Sequence, residues 1–218
     1  MDTGHVPPEQ VDIAVMSRAP VAGQAKTRLI PALGAQGAAR MHRQLTLRTL
    51  ATARAAGTGP VTLWCAPDTN HLFFRALQSR CDITLHAQSG QDLGQRMAHV
   101  FAANRPRPLL LIGTDCPVLK AEHLQHAAEV LRAGSDAVFI TTEDGGYCLV
   151  GLPRPCPELF TDIAWSTEQV MAQTRARLSA LGLRWSEVAM LWDIDRAEDV
   201  LRWQALQEEQ TLAAGGQR

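Results

Sequence analysis

The sequence lacks the features that would place it in a membrane or outside the cell. Its longest apolar run, around residues 109–112, is far shorter than the roughly 18 residues that a membrane helix needs. The N-terminal segment MDTGHVPPEQ has neither the basic start nor the apolar stretch of a signal peptide. The five cysteines are odd in number and include no CxxC pair, which argues against a disulfide framework or a zinc site. We therefore expect a cytoplasmic protein without a membrane span.

An excess of charge and several catalytic motifs are also missing. The formal net charge is −1, so the chain as a whole gives no electrostatic reason to expect nucleic acid as a partner. The seven histidines show no HxH or HExxH spacing, and there is no Gly-x-Ser-x-Gly elbow. A histidine metal site and a nucleophilic hydrolase are therefore not indicated.

Short apolar runs alternate with longer amphipathic segments, which indicates a regular alternation of strands and helices. Strands are predicted over about 11–17, 61–66, 83–87, 108–114, 136–141, 147–152 and 187–192, and helices over about 34–56, 70–80, 92–104, 121–133, 166–181 and from 196 onward. Asp92 and Ser166 are predicted to cap two of these helices. The alternation predicts a doubly wound, mostly parallel sheet covered by helices on both faces. We expect one domain, with a core over about 11–205 and flexible termini.

A basic loop that contains a glycine follows the first strand. It carries Arg18, Gly23, Lys26 and Arg28. Ligands of such sheets bind outside the carboxyl ends of the strands, where backbone amides and cations of this loop could hold a polyphosphate. Arg96, on a later helix, could reach a phosphate, and the alternative is that it lies on a solvated helix face. The loop is neither a Walker A motif nor GxGxxG, and a solvated basic loop is the alternative.

Three aspartates lie where predicted strands end. Asp115 follows the buried strand 108–114, and Asp193 and Asp195 follow the last strand with one residue between them. Side chains two residues apart in extended chain point to the same side. Oxygen ligands suit Mg²⁺ or Mn²⁺, so the three carboxylates could share one metal ion. The alternative is that Asp115 and Asp195 cap the following helices while Asp193 is solvated.

Two further acids precede a pair of glycines at another strand end. Glu143 or Asp144 could bind the hydroxyls of a sugar or act as a general base. Gly145 and Gly146 would let a ligand approach the backbone closely. The alternative is a hairpin turn built on Asp-Gly.

Six segments taken in order resemble a bacterial family known as domain of unknown function 2064. They are APVAGQAKTRL, GQDLGQRM, GTDCPVL, EDGGYCLVGL, AWST and WDIDRAEDV, and they span about residues 11–203. The resemblance implies a GT-A-like fold with three α/β/α layers and a nucleotide-diphospho-sugar transferase activity. Related cofactor guanylyltransferases imply phosphate binding at Lys26 and Arg28, and metal binding at Asp115, Asp193 and Asp195.

The chain departs from its relatives at two places. Arg18 stands where relatives more often have lysine, and a single acid in Thr-Asp-Cys replaces the Asp-x-Asp of many glycosyltransferases. The metal site would then depend on the distant pair at 193 and 195.

Three functions fit these residues. The first is transfer of a sugar from a nucleotide-sugar donor to a small-molecule acceptor, and the second is transfer of a nucleotide from a triphosphate to a phosphorylated small molecule. Both use Mg²⁺ or Mn²⁺ to offset the charge of a phosphate leaving group. The third is nucleotide binding without catalysis. The basic loop slightly favours triphosphate chemistry, whereas the acids at 143 and 144 favour sugar transfer, and we expect sugar transfer.

Overall fold

The fold is a seven-stranded sheet between two layers of helices, in a computed structural model that describes residues 10–104 and 107–215. The strands are β1 (Asp12–Arg18), β2 (Val61–Ala66), β3 (Thr84–Ala87), β4 (Leu109–Ile112), β5 (Ala137–Thr142), β6 (Tyr147–Leu152) and β7 (Trp185–Leu191). The helices are α1 (Ile30–Ala56), α2 (Leu72–Cys81), α3 (Leu93–Ala103), α4 (Ala121–Arg132), α5 (Val170–Ala180) and α6 (Ala197–Gly215). The predicted three-layer, doubly wound architecture is confirmed.

The strand order is β3-β2-β1-β4-β6-β5-β7. The candidate residues after β1, β4, β5 and β7 lie at the carboxyl ends of these strands. All neighbouring strands are parallel except β6, which is antiparallel to both β4 and β5. The chain moves from β1 outward to β3 and then returns to the other side of β1 with β4. The strand order therefore reverses between β1 and β4, and the crevice at such a switch point is where these sheets bind ligands.

The alternation of side chains along the central strands explains why helices cover both faces. Along β4, Leu110 and Ile112 pack with α1, α2 and α4, whereas Leu109 and Leu111 pack with α3 and α5 on the opposite face. All four are buried. A strand that is apolar on both faces loses contact with water only when both are covered. This packing fixes the carboxyl ends of β1 and β4 side by side.

Two expected local features have different outcomes. The Asp-Gly segment after β5 does form a hairpin turn, in which Thr142 and Gly146 bond through their backbones. The helix expected from Ser166 instead begins at Val170, and the Ser166 side chain caps nothing because its backbone is left-handed, with φ at 66°. The prediction of a capping box at Ser166 was therefore wrong.

The ends of the chain and its membrane character complete the description. None of the helices described is both long enough and apolar enough to cross a bilayer. The expectations for the N-terminal segment 1–9 and for the last three residues lie outside the described residues.

Candidate active site

A cleft of about 1270 Å³ lies at the carboxyl ends of the strands, and all of the predicted site residues line it except Gly23 and Gly145. Its lining includes the β1–α1 loop, the ends of β4 and β7, and the β5–β6 turn. Eight carboxylates line it against five cations, so the surface is acidic. The cations are Arg18, Lys26, Arg28, Arg96 and Arg196, and the acids are Asp115, Glu143, Asp144, Glu168, Asp193, Asp195, Glu198 and Asp199. An anionic ligand would need a further cation to bind here.

The β1–α1 loop turns through two left-handed residues. Gly23 has φ at 82° with open space around it, so glycine is needed there for the backbone conformation alone. Lys26 has φ at 51°. This left-handed backbone conformation is energetically unfavourable for any residue other than glycine. The loop thereby directs the Lys26 side chain into the protein, where it is only 5% exposed.

The ammonium of Lys26 connects three segments of the chain. Its Nζ lies 3.0 Å from Asp115 Oδ2 and donates to the carbonyl oxygen of Ile194. The Ile194 amide in turn donates to the Asp115 carbonyl at 2.8 Å. Lys26, predicted from sequence as a phosphate ligand, therefore holds two of the acidic segments together in this structure.

Arg28 makes the second pair between the basic loop and the acids. Its guanidinium donates to Asp195 Oδ2, and the Arg28 side chain remains 61% exposed. Asp195 does not cap α6 with its side chain. Asp199 does so instead, because its Oδ2 accepts from the amides of Asp195 and Arg196 at 2.9 and 2.7 Å.

Of the three candidate metal ligands, Asp193 is the one without an ion pair among the described residues. It is half-buried, and no group among the described residues donates a hydrogen bond to its carboxylate. Burial, followed by the nearby carboxylate of Asp144, raises the pKa of Asp193 to about 6, although Lys26 opposes this shift. A bound cation would remove the electrostatic cost of this carboxylate.

The residues present suit a hard divalent cation by their chemistry, although they do not form a finished site. Asp115, Asp193 and Asp195 offer oxygen ligands, which Mg²⁺ and Mn²⁺ prefer. In the parts of the chain that the structure describes, no three histidine, cysteine or acidic side chains are arranged to hold a metal ion. Asp115 is paired with Lys26, and Asp195 is paired with Arg28.

Glu143 and Asp144 differ in what holds them. Arg202 donates two hydrogen bonds to the Glu143 carboxylate, at 2.7 and 3.1 Å, and lowers its pKa. Glu143 thus anchors α6 to the β5–β6 turn. In Asp144, Oδ1 accepts from the Thr142 hydroxyl at 2.5 Å and from the Gly146 amide at 3.1 Å. Oδ2 of Asp144 has no such partner among the described residues, so the carboxylate is oriented with one oxygen available in the cleft.

The two glycines of this turn are explained by contacts within the protein. A Cβ on Gly145, where φ is 86°, would lie 2.2 Å from the Glu168 carbonyl oxygen. On Gly146 it would lie 3.2 Å from the Thr142 hydroxyl. Gly145 is therefore required by the close approach of the Glu168 backbone. The close contact with a ligand that the sequence suggested is not needed to explain it.

Arg18 and Arg96 also line the cleft. Arg18 is exposed, and its guanidinium forms no hydrogen bond within the described ranges. Arg96 donates through Nε to the Gly90 carbonyl at 3.1 Å. Its helix begins as predicted, because Asp92 Oδ1 accepts from the Gln95 amide at 2.8 Å. Of the two arginines, Arg18 is the better placed to bind a ligand.

Among the cleft residues that sequence reasoning missed are His42 and Trp165. His42 is buried on α1 and bonds through Nε2 to the Arg18 carbonyl at 2.8 Å. Trp165 packs over Gly94, where a Cβ would lie 2.8 Å from the indole ring. His42 gave no signal because it stands alone in a helical pattern. Trp165, in the segment AWST, could have been singled out as a large aromatic side chain in a loop.

Comparison with known proteins assigns the family. Residues 49–167, more than half of the chain, match the family described as "Uncharacterized protein conserved in bacteria (DUF2064)", so the chain belongs to this family. This confirms the resemblance found in the sequence. No curated protein is similar enough in sequence to be identified as a relative.

Solved structures share the fold across nearly the whole chain. A candidate nucleotide-diphospho-sugar transferase from Desulfovibrio desulfuricans G20 is 26% identical, with a TM-score of 0.78, and the match covers 86% of this chain and 83% of that chain. The 4-diphosphocytidyl-2C-methyl-D-erythritol synthase of Anaerococcus prevotii is 12% identical, with a TM-score of 0.63, covering 91% and 96%. A Mycobacterium tuberculosis protein solved with manganese is 17% identical, with a TM-score of 0.54, covering 88% and 97%. The fold is therefore that of the nucleotide-diphospho-sugar transferases.

Proposed function

We propose that this protein transfers a sugar from a nucleotide-diphospho-sugar donor to a small-molecule acceptor, with Mg²⁺ or Mn²⁺ bound in the cleft. The observation that carries the proposal is the cluster of carboxylates at the switch point, where Asp193 has no partner and Asp144 presents one oxygen. The cleft of about 1270 Å³ exceeds the roughly 300–1,000 Å³ of sites for one small ligand. It can therefore accept a donor together with an acceptor. The likeness to the Desulfovibrio transferase supports the same class of donor.

The donor diphosphate would lie between the basic loop and the acids. Arg18 is exposed, and Arg28 is the more exposed partner of its ion pair, so both can turn to the phosphates. Asp115, Asp193 and Asp195 would hold the cation. When bound, that cation supplies positive charge against the phosphates of the leaving nucleoside diphosphate.

Asp144 is the residue proposed to act on the acceptor. As the acceptor oxygen bonds to the anomeric carbon of the sugar, the bond from that carbon to the diphosphate breaks and its electron pair leaves with the nucleoside diphosphate. The acceptor hydroxyl must then lose its proton. Oδ2 of Asp144 can take this proton because the Thr142 hydroxyl and the Gly146 amide fix the carboxylate through Oδ1.

The matched pair Asp144→Asn and Glu143→Gln tests this assignment. A panel of nucleotide sugars with Mn²⁺ or Mg²⁺ should give slow release of nucleoside diphosphate. Asp144→Asn should lower this rate by about 10²-fold or more. Glu143→Gln should keep most of it, because Glu143 is engaged by Arg202.

The products distinguish the proposal from nucleotide transfer. Release of pyrophosphate from a nucleoside triphosphate and a phosphorylated acceptor, with no turnover of any nucleotide sugar, would replace sugar transfer by nucleotidyl transfer. Equal loss of activity in both variants would remove the special role of Asp144.

A further inference from the structure

Lys26 is a buried cation with acidic partners. Its side chain is 5% exposed, whereas that of Asp115, its partner at 3.0 Å, is 47% exposed. A buried ammonium is stable only when it is paired and hydrogen-bonded. Here Asp115 supplies the charge and the Ile194 carbonyl supplies the second acceptor.

The Lys26 ammonium lies between Asp115 and the segment 193–195, where the three candidate metal ligands are found. The carbonyl that accepts from Nζ belongs to the residue between Asp193 and Asp195, and Asp115 accepts on the other side. One positive charge therefore links the end of β4 with the end of β7. The same two segments provide the oxygen atoms proposed to bind a divalent cation.

A divalent cation that coordinates Asp115 Oδ2 would weaken the ion pair between this oxygen and the Lys26 ammonium. A metal ion carries twice the charge and coordinates carboxylate oxygen directly. Once Asp115 is bound to metal, the buried ammonium has lost its charged partner, and burial then becomes unfavourable.

We propose that Lys26 serves as a built-in counter-cation of the metal-free cleft, and that a divalent cation displaces its ammonium from Asp115 and the Ile194 carbonyl. This inference rests on the metal site of the proposed function. It adds an order of events: the displaced ammonium moves into the cleft, where a donor diphosphate can accept its hydrogen bonds. Metal binding thus converts Lys26 from an internal partner into a phosphate ligand.

Lysine-selective acylation tests the displacement on the unaltered protein. The chain has only two lysines, Lys26 and Lys120, and Lys120 is exposed. Without metal, Lys120 should be acylated at least about tenfold faster than Lys26, since a paired and buried amine is a poor nucleophile. Mn²⁺ should accelerate acylation at Lys26 about tenfold and leave Lys120 unchanged. Unchanged protection of Lys26 in the presence of bound Mn²⁺ would overturn the inference.

Affinity for Mn²⁺ alone gives the second measurement. Lys26→Met should bind Mn²⁺ about tenfold more tightly than the parent in the absence of nucleotide, because the metal no longer competes with an ammonium. Lys120→Met is the matched control and should bind as the parent does. Adding Asp115→Asn to Lys26→Met should abolish the gain. Equal or weaker binding by folded Lys26→Met contradicts the inference.

The two proposals fail in different ways. If Mn²⁺ binds but neither releases nor competes with Lys26, the counter-cation role is wrong and the metal-dependent transfer stands. If neither the parent nor Lys26→Met binds Mn²⁺, with or without a nucleotide sugar, the metal site itself is wrong.

Discussion

His42 is the residue beneath the basic loop, and its two ring nitrogens have different surroundings. Nε2 lies 2.8 Å from the Arg18 carbonyl, so the proton of the neutral ring belongs on Nε2. Nδ1 is buried and has no hydrogen-bond partner in the described residues. Burial lowers the pKa of His42, a shift that Asp115 partly opposes. The folded protein therefore keeps this ring uncharged at neutral pH.

This pKa shift predicts that stability depends on pH through His42. Above about pH 6.5, the ordinary pKa of histidine, the ring is neutral in both the folded and the unfolded chain. Below it the unfolded chain binds a proton that the folded chain does not, so stability is lost as pH falls toward the folded pKa. The slope is at most about 1.4 kcal/mol per pH unit.

Urea unfolding at pH 7.5 and 5.5 measures this effect, with His42→Gln as the comparison. The parent should lose more stability over that interval than the variant, whose side chain can still donate to the Arg18 carbonyl. Identical losses would mean that His42 takes up its proton equally well in the folded protein.

Ion pairs across long stretches of sequence are the part of the site that residue patterns could not predict. Arg28 and Asp195 are 167 residues apart, and Arg202 and Glu143 are 59 apart. The sequence analysis named Arg28, Glu143 and Asp195 as candidate site residues, but it did not single out Arg202, which lies on α6. It could not indicate that these charges would neutralise one another, because only the three-dimensional fold brings them within hydrogen-bonding distance.

At the scale of elements, helix starts were predictable where the cap is local. Asp92 caps α3 within three residues of its own position, so the sequence contained all the partners. Ser166 also has a suitable motif, but the segment around it packs against Gly145 and adopts a left-handed turn. Tertiary packing outweighs a capping bond of about 1 kcal/mol.

The same packing predicts an unequal response of two glycines to alanine. Gly145→Ala should lower the free energy of unfolding by more than about 3 kcal/mol, because the added Cβ overlaps the Glu168 carbonyl. Gly182→Ala has a similar positive φ of 66° but open space around it, and should cost only about 1–2 kcal/mol. Chemical denaturation of both variants measures the difference. Equal losses would show that φ alone determines the cost at 145.

Strands were predicted closely because their apolar runs are short and distinct, but their order was not. β6 follows β5 in sequence and also pairs with β4. That insertion separates β4 from β5. No local pattern encodes which edge a hairpin joins, because the choice depends on how both faces of the sheet are covered.

At the scale of the whole molecule, the five cysteines are free thiols with unequal access. Cys65, Cys116 and Cys148 are buried, whereas Cys81 and Cys156 are partly exposed. Burial raises the pKa of Cys65 to about 12 and also raises that of Cys156. A thiol reacts as its thiolate, so alkylation of the folded protein should label Cys81 first.

Mass analysis without reductant completes this prediction. The unfolded chain should take five labels, because all five cysteines are free thiols. A mass that corresponds to three labels would reveal a disulfide and contradict this prediction.

The acidic pair that follows β7 has a consequence for synthesis on the ribosome. The nascent chain exposes the basic loop directly after β1, whereas residues 193–195 leave the ribosome only after all seven strands. Until then, Lys26 lacks the Ile194 carbonyl as an acceptor, and Asp193 and Asp195 are not yet near it. A chain that stops short of β7 can therefore bury much of its sheet but leaves this lysine only Asp115 as a partner. The cleft is assembled only after residues 193–195 have left the ribosome, so truncated products that lack them should not compete with the finished protein for its ligands.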